Sequence, residues 1–364
     1  MINETIHPMN EKYEIVKYRP EFKSQIIELQ THLWSPDLAA NTAYLEWKYE
    51  QNPYLDTPLI YLALYAGKVV GMRGMYGAKW EIGHPSQTLS VVCAGDSVTA
   101  PEHRKCGLYK RITRVALNDL ANIGYSYVFS LSTGPVTLPS SLSMGWRSVG
   151  SLQMMIREAR QRTISSSKEQ HSFPYPDRNV TERRLEASPY VSLERTARAE
   201  AMAELVEQIG NDGRIRHARD QQYFAWRFKN PLSQYRFLYW EDSSLDGYLV
   251  LQTSVYRDRL KISIVDWEAT NMQVRTDLLQ TAIHLGNFNV LSIWSATLSD
   301  EIKILLQNTG FNPQKEVKSI TKFRPTILVR PVRDEMLKTN WVIANRRLLD
   351  LESWDLRMIY SDGY

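Results

Sequence analysis

The sequence predicts an α+β protein made of two similar domains, and three observations carry that prediction. The chain has 364 residues, about twice a common domain size. Short apolar runs suited to strands alternate with stretches of helical period, in the order strand, helix, antiparallel strands, helix, strand, helix, strand. A pair of signatures also recurs in the same order. Tyr44-Leu45-Glu46-Trp47-Lys48-Tyr49 before Asn52-Pro53 is echoed by Tyr223-Phe224-Ala225-Trp226-Arg227-Phe228 before Asn230-Pro231, and Gly145-Trp146 is echoed by Gly310-Phe311.

In the first half, a strand begins near Glu14 and a helix follows, with Ile26, Ile27, Leu29 and Leu33 at near-helical spacing. Residues Pro58 to Tyr65 and Val69 to Met75 read as a hairpin about the turn Ala66-Gly67-Lys68. Thr88 to Thr99 reads as a strand, Leu108 to Asn122 as a helix and Tyr125 to Ser130 as a strand, followed by a Gly/Pro/Ser-rich loop. Residues 1–157 make the first domain, and the polar stretch 158–190, with Ser165-Ser166-Ser167, reads as a linker. In the second domain, 191–330, Ser192 to Ile209 looks helical. Strands are expected at Tyr235 to Tyr239, Gly247 to Tyr256, Lys261 to Trp267 and Val290 to Trp294, with helices at Val274 to Leu285 and Asp300 to Asn308. Residues 331–364 form an aromatic, partly acidic tail, with Trp354, Asp355 and Asp362, that packs on the domains or reaches over a cleft.

Composition narrows the function. With 43% hydrophobic and 23% charged residues the chain has enough apolar matter for a sizeable core. A net charge of +4 is too mild for a nucleic-acid binder and suits a small anionic ligand. Two cysteines, Cys93 and Cys106, exclude a disulfide framework or a Cys-rich zinc site, and the seven histidines are scattered, so no metal is expected. The start is polar and no apolar run is long enough to span a bilayer, which reads as a cytoplasmic protein without a membrane partner.

The chemistry lies in Gly95-Asp96-Ser97-Val98-Thr99-Ala100-Pro101-Glu102-His103-Arg104-Lys105-Cys106-Gly107-Leu108-Tyr109. A strand ends near Thr99, a cation-rich loop follows, and a helix opens at about Leu108. Backbone N–H groups aimed by a helix N-terminus form a natural pyrophosphate site. Gly107 lets the backbone approach without a Cβ, and Arg104 and Lys105 add charge-assisted contacts.

This segment resembles the acetyl-CoA signature of the GNAT superfamily of N-acetyltransferases: Arg or Gln, two residues, Gly, one residue, then Gly or Ala, after a strand ending in Val-x-Pro-Glu-x-Arg. Arg104 and Gly107 fill the first slots, while the bulky Tyr109 departs from the last. Gly145-Trp146 matches the family's late Gly-Phe. The resemblance covers Tyr13 to Arg157 well and Ser192 to Pro313 weakly. It implies two GNAT-like domains, each a mixed, mostly antiparallel twisted sheet flanked by helices, with acetyl-CoA as co-substrate.

It further implies that the strand before the loop splays from its neighbour and that Ser97, Val98 and Thr99 pair with the pantetheine arm. Arg104, Lys105, Cys106, Gly107, Leu108 and Tyr109 would meet the phosphates. Thr137, in the loop Thr133 to Ser141, would belong to the other wall. In such enzymes the leaving thiolate is often protonated by a Tyr four residues before the terminal Gly. Ser141 stands there instead, so the sulfur would be served by water, Tyr109 or Ser141 itself. Asp96, in an otherwise apolar and small-residue stretch, is the candidate base or amine anchor, with a capping or turn-binding role as the alternative. Cys106 lacks the partners of a nucleophile.

The second half has no Arg-x-x-Gly and no glycine in Ile264 to Met272, so no second coenzyme site is expected there. Asp266 and Trp267 either line a cleft or close a buried strand. The aromatic-cation-aromatic segments at 44–53 and 223–231 read as packing motifs, since they recur in a half with no cofactor signature. The function expected is acyl transfer to a small amine such as an amino sugar, by a monomer with pseudo-dimeric halves or a homodimer. Its alternatives are a Fem-like aminoacyl transferase, against which the mild charge argues, and a silent acyl-CoA-binding scaffold.

Overall fold

The computed structural model describes residues 12–159, 183–185, 188–256, 259–286, 288–314, 326–338 and 341–361. The stretch 165–167, most of the expected linker and Asp362 lie outside these residues. The chain divides into two compact units. The first comprises Met1–Trp80, Leu89–Val149 and Ile327–Val342; the second comprises Glu81–Thr88, Gly150–Thr326 and Ile343–Tyr364.

The first unit begins with β1 (Tyr13–Lys17), α1 (Lys23–Gln30), α2 (Leu38–Leu45), β2 (Leu59–Tyr65), β3 (Lys68–Gly77) and β4 (Val91–Thr99). It continues through α3 (Leu108–Asn122), β5 (Tyr127–Thr133), α4 (Leu138–Leu142) and β6 (Arg147–Ser151). The β2–β3 hairpin turns through Ala66 (φ 48°) and Gly67 (φ 76°), the two positive values that a tight hairpin turn requires. In α3, Leu108, Ile112, Ala116, Leu117 and Leu120 are buried at helical spacing, which lays one stripe on the sheet. The turn after α2, Glu46–Glu50, is a π-helix, a local widening that alters which side chains reach the sheet.

Next come β7 (Met154–Glu158), β8 (Arg183–Leu185), β9 (Ser188–Glu194), α5 (Ala199–Ile209), α6 (Gln221–Arg227), β10 (Gln234–Glu241) and β11 (Leu245–Tyr256). The chain ends with β12 (Arg259–Ala269), α7 (Met272–His284), β13 (Val290–Trp294), α8 (Asp300–Asn308), β14 (Asn312–Pro313) and β15 (Thr326–Pro331). Among the described residues, one sheet has the order β1-β2-β3-β4-β5-β15-β6 and the other β8-β9-β10-β11-β12-β13-β7-β14. The core of the second unit gathers Leu249, Ile262, Trp267, Leu278, Leu291 and Phe311.

Three expectations are corrected. The helix over Ser192 to Ile209 begins only at Ala199, because Val191 and Leu193 alternate with outward residues and make β9 a strand. The supposed loop after β5 contains α4. The units are also not the linear segments 1–157, 191–330 and 331–364. β7 leaves the first segment to join the second sheet between β13 and β14, and β15 enters the first sheet between β5 and β6. Ile327, Leu328 and Val329 are all fully buried, and such a continuous apolar run needs both faces covered, as only an interior strand provides. Residues 343–361 belong to the second unit, and Trp354 and Asp355 are buried there, in keeping with a segment that packs on a domain.

Candidate functional site

The fork between β4 and β5 organises the site. The two strands pair in parallel only at Val91 with Tyr127, Val92 with Val128 and Cys93 with Phe129. Beyond Cys93, β4 runs on to Thr99 and β5 to Thr133 without continuing the ladder. On its other side β4 stays paired with β3 as far as Thr99. Ser97, Val98 and Thr99 therefore lie on a strand whose fork side has left its neighbour.

At the end of β4 the chain makes a short turn over Pro101–His103 and enters α3 through Lys105 (φ 64°) and Gly107 (φ 71°). Gly107 is the N-cap of α3, and no side chain caps the helix, so its first N–H groups keep their donors for an anion. A Cβ added at Gly107 would meet nothing within 4 Å, but the left-handed backbone disfavours any side chain there. Arg104 and Lys105 are exposed, and Arg104 Nε donates to the Thr99 carbonyl at 3.2 Å. Cys106 is half-buried, with Sγ 3.5 Å from the Arg104 carbonyl. His103 is held by Tyr13, Nδ1 to Oη 3.0 Å, and packs against Tyr65. These residues fit a diphosphate: a glycine-opened helix start, two cations and an accessible loop.

Asp96 sits elsewhere in this geometry. The β3–β4 ladder is bulged where Arg73 faces Ser97 and Gly74 faces Gly95, so Asp96 is the extra residue. Its carboxylate is wholly buried. Oδ1 accepts from Lys48 Nζ at 2.8 Å and Oδ2 from Tyr49 Oη at 2.8 Å. Lys48 also donates to Tyr44 Oη at 3.1 Å and lies 5.0 Å from the Tyr76 ring centroid. Gly95 makes the space for it, since a Cβ there would stand 2.8 Å from Lys48 Nζ. Asp96 is thus the buried partner of a lysine, neither a helix cap nor a carboxylate turned toward solvent.

Tyr109 and Ser141 do come together, Oη to Oγ at 2.7 Å, joining the first turn of α3 to α4. Ser141 Oγ lies 3.1 Å from the carbonyl of Thr137, the N-cap residue of α4, whose own hydroxyl is 3.3 Å from the Gly134 carbonyl. The face of the Tyr109 ring carries Arg73, its Cζ 5.4 Å from the centroid. Among the described residues no group of three or more His, Cys, Asp or Glu side chains is arranged to hold a metal.

The second unit has a related fork with different contents. β12 pairs with β13 over Lys261 to Ile264 and then runs on to Ala269. Asp266 accepts from Arg219 at 3.0 Å and from Tyr248 at 2.8 Å. Glu268 accepts from Arg219 at 2.6 Å and pairs with Arg357 at 2.7 Å. Arg357 also donates to the Trp267 carbonyl at 2.7 Å. Burial by itself would raise the Glu268 carboxyl, yet Arg357, Arg219 and Arg275 hold it down to about 2. Burial, reinforced by Arg227 and Arg219, keeps His217 well below its ordinary value. α7 is closed at its start by Asn271, whose side chain accepts from the Val274 N–H at 3.0 Å.

Two residues at the first fork escaped the sequence reading. Lys48 stands in a segment read as packing, and its repetition as Arg227 favoured that reading. Arg73 was an ionisable residue in the apolar run Val69 to Met75, a visible signal.

No family model matches the chain, and no curated protein matches it. Solved structures do. A GCN5-related N-acetyltransferase from Anabaena variabilis superposes with a TM-score of 0.60 at 15% identity, covering 88% of this chain and 73% of that one. Eis1 from Mycobacterium abscessus gives 0.53 at 14% identity, covering 88% and 73%. A tandem GNAT protein from the clavulanic acid biosynthesis pathway gives 0.51 at 11% identity, covering 88% and 99%. Identities this low speak for architecture rather than chemistry, and with the fork, the glycine-opened helix and the duplicated halves they establish that this chain has the fold of the tandem GNAT N-acetyltransferases.

Proposed function

We propose that the first unit binds an acyl-CoA, acetyl-CoA above all, and transfers its acyl group to the amine of a small molecule such as an amino sugar. The observation that carries this reading is the β4–β5 fork, which leaves β4 unpaired on one side and leads straight into the uncapped start of α3. Acetyl-CoA would supply the activated thioester. Gly107, Leu108 and Tyr109 would offer backbone N–H groups to its diphosphate, and Arg104 and Lys105 their charge. Ser97, Val98 and Thr99 would offer strand-edge groups to the arm, with β5 and the turn at Thr137 as the opposite wall.

Asp96, paired with Lys48 and Tyr49, would fix the bulge that shapes the fork instead of taking a proton from substrate. The amine proton would then pass to water. The Tyr109–Ser141 pair would present a hydroxyl at the reactive end of the site. Cytoplasmic location belongs to the same proposal, and among the described residues no helix is long and apolar enough to cross a membrane.

Titration calorimetry of acetyl-CoA into the protein and its Gly107→Asp and Arg104→Glu variants tests the site, and thiol release with a panel of amines tests the transfer. Micromolar binding lost in both variants is the expected result; no binding to the unaltered protein would overturn it. Binding with no thiol release for any amine would instead favour an acyl-CoA-binding scaffold, a reading that the full engagement of Asp96 supports.

A further inference from the structure

Arg73 is an ionised side chain in the middle of an apolar strand, 7% exposed, and none of the roles above uses it. Its Nη1 donates to the Gly95 carbonyl at 3.2 Å. Its guanidinium lies over the Tyr109 ring, and Tyr109 in turn bonds Ser141. Its Nε is buried and has no hydrogen-bond partner among the described residues. A buried donor left unpaired is costly, and its persistence in a folded protein calls for a ligand or a strain-based reason.

The geometry points to Arg73 as the group that receives the sulfur of coenzyme A as a thiolate. This inference rests on the proposed acyl-CoA site. With the diphosphate at residues 104–109 and the arm along Thr99 to Ser97, the reactive end of the molecule falls toward Gly95. There the guanidinium bonds the Gly95 carbonyl and lies over the ring of Tyr109, whose hydroxyl meets Ser141.

In the transfer, the amine nitrogen bonds to the carbonyl carbon and the C–S bond breaks. The electron pair stays on sulfur, and the amine proton goes to water. A free thiol ionises near 8.5, so at neutral pH the departing sulfur would ordinarily need a proton. A buried cation stabilises the anion and removes that need, in the way neighbouring Arg and Lys lower the ionisation of reactive cysteines. This chain has Ser141 where a tyrosine acid would stand by resemblance, and Arg73 offers a charge in place of that proton.

The test compares coenzyme A with desulfo-coenzyme A, which has no thiol to ionise, and needs no acceptor amine. Both are titrated into the full-length protein between pH 6.5 and 9, and the bound thiolate is followed by its ultraviolet absorbance. The expected thiolate midpoint lies about one pH unit or more below that of free coenzyme A. Coenzyme A should then gain about tenfold over desulfo-coenzyme A as pH rises. Arg73→Gln should abolish that gain and leave desulfo-coenzyme A binding in place, and Arg73→Lys should restore part of it.

Equal pH profiles for the two ligands in the unaltered protein overturn the role of Arg73 while leaving the coenzyme site standing, and this comparison holds even should the Gln variant misfold. A gain that survives in Arg73→Gln overturns it too. Failure of both ligands to bind at any pH overturns the site itself.

Discussion

The two forks of this molecule share an outline and differ in their contents. In the first, β4 leaves β5 after Cys93, and the strand edge beyond leads to a helix start that no side chain closes. In the second, β12 leaves β13 after Ile264, but the equivalent edge is taken. Trp267 follows Asp266 as Ser97 follows Asp96, and its carbonyl accepts from Arg357 of the C-terminal segment. Trp267, Trp294, Leu356, Arg357 and Met358 line the small cavity that remains there.

The repeated aromatic-cation-aromatic motif follows the same split. Lys48 is spent on the Asp96 carboxylate, whereas Arg227 donates to the carbonyls of Ile359 and Ser361, both at 2.7 Å, and pins the segment that fills the second fork. The two forks thus share an outline and differ in what fills them. In the second, the Asn271 cap, Arg357 and the segment around Ile359 and Ser361 supply side-chain and backbone contacts that the first lacks.

The sharpest way to break this comparison is at the buried ion pair. Lys48→Met strands the Asp96 carboxylate and should cost about 3–5 kcal/mol of stability in denaturant unfolding. Lys48→Met with Asp96→Asn should recover much of it, and no recovery would mean that Lys48 acts through packing alone. Gly107→Asp should weaken acetyl-CoA binding by about 100-fold, or about 3 kcal/mol. The matching change Asn271→Asp in the second unit should leave it untouched, and a comparable loss there would mean that both forks bind.

A pH titration sharpens the contrast from the side of the second unit. The Glu268 carboxyl lies at about 2 against an ordinary 4.5. Its pairing stabilises the folded state above pH 4.5, and that contribution is lost as pH falls toward 2. The loss is on the order of 2–3 kcal/mol, and Glu268→Gln should flatten that part of the stability profile. The smallest expected effect is at the helix cap, where Asn271→Ala should cost about 1 kcal/mol of unfolding free energy with no change in coenzyme binding.

Much of this was legible along the chain, because local periodicity and turn chemistry act over a few residues. α3, β13 and α8 have the bounds that the spacing of their apolar residues implies, and the Gly107 turn is visible as a residue type. What escaped depends on distant residues. Nothing near Asp96 tells that its partner lies 48 positions earlier, because that meeting needs both the π-helical turn and the bulge of β4. Asp96 was legible as an isolated carboxylate in an apolar strand, and its role was not. β15 was missed for the same reason: Ile327, Leu328 and Val329 are an ordinary short apolar run until β5 and β6 flank them.

That placement of β15 has a consequence for how the protein is made. The strand that bridges β5 and β6 is synthesised long after both of them. At ribosomal speeds of about 5–20 residues per second, the first sheet waits on the order of ten seconds with its final gap open. Over that interval the facing edges of β5 and β6 lack their partner strand, so a chain truncated at its midpoint should expose unpaired, aggregation-prone strand edges.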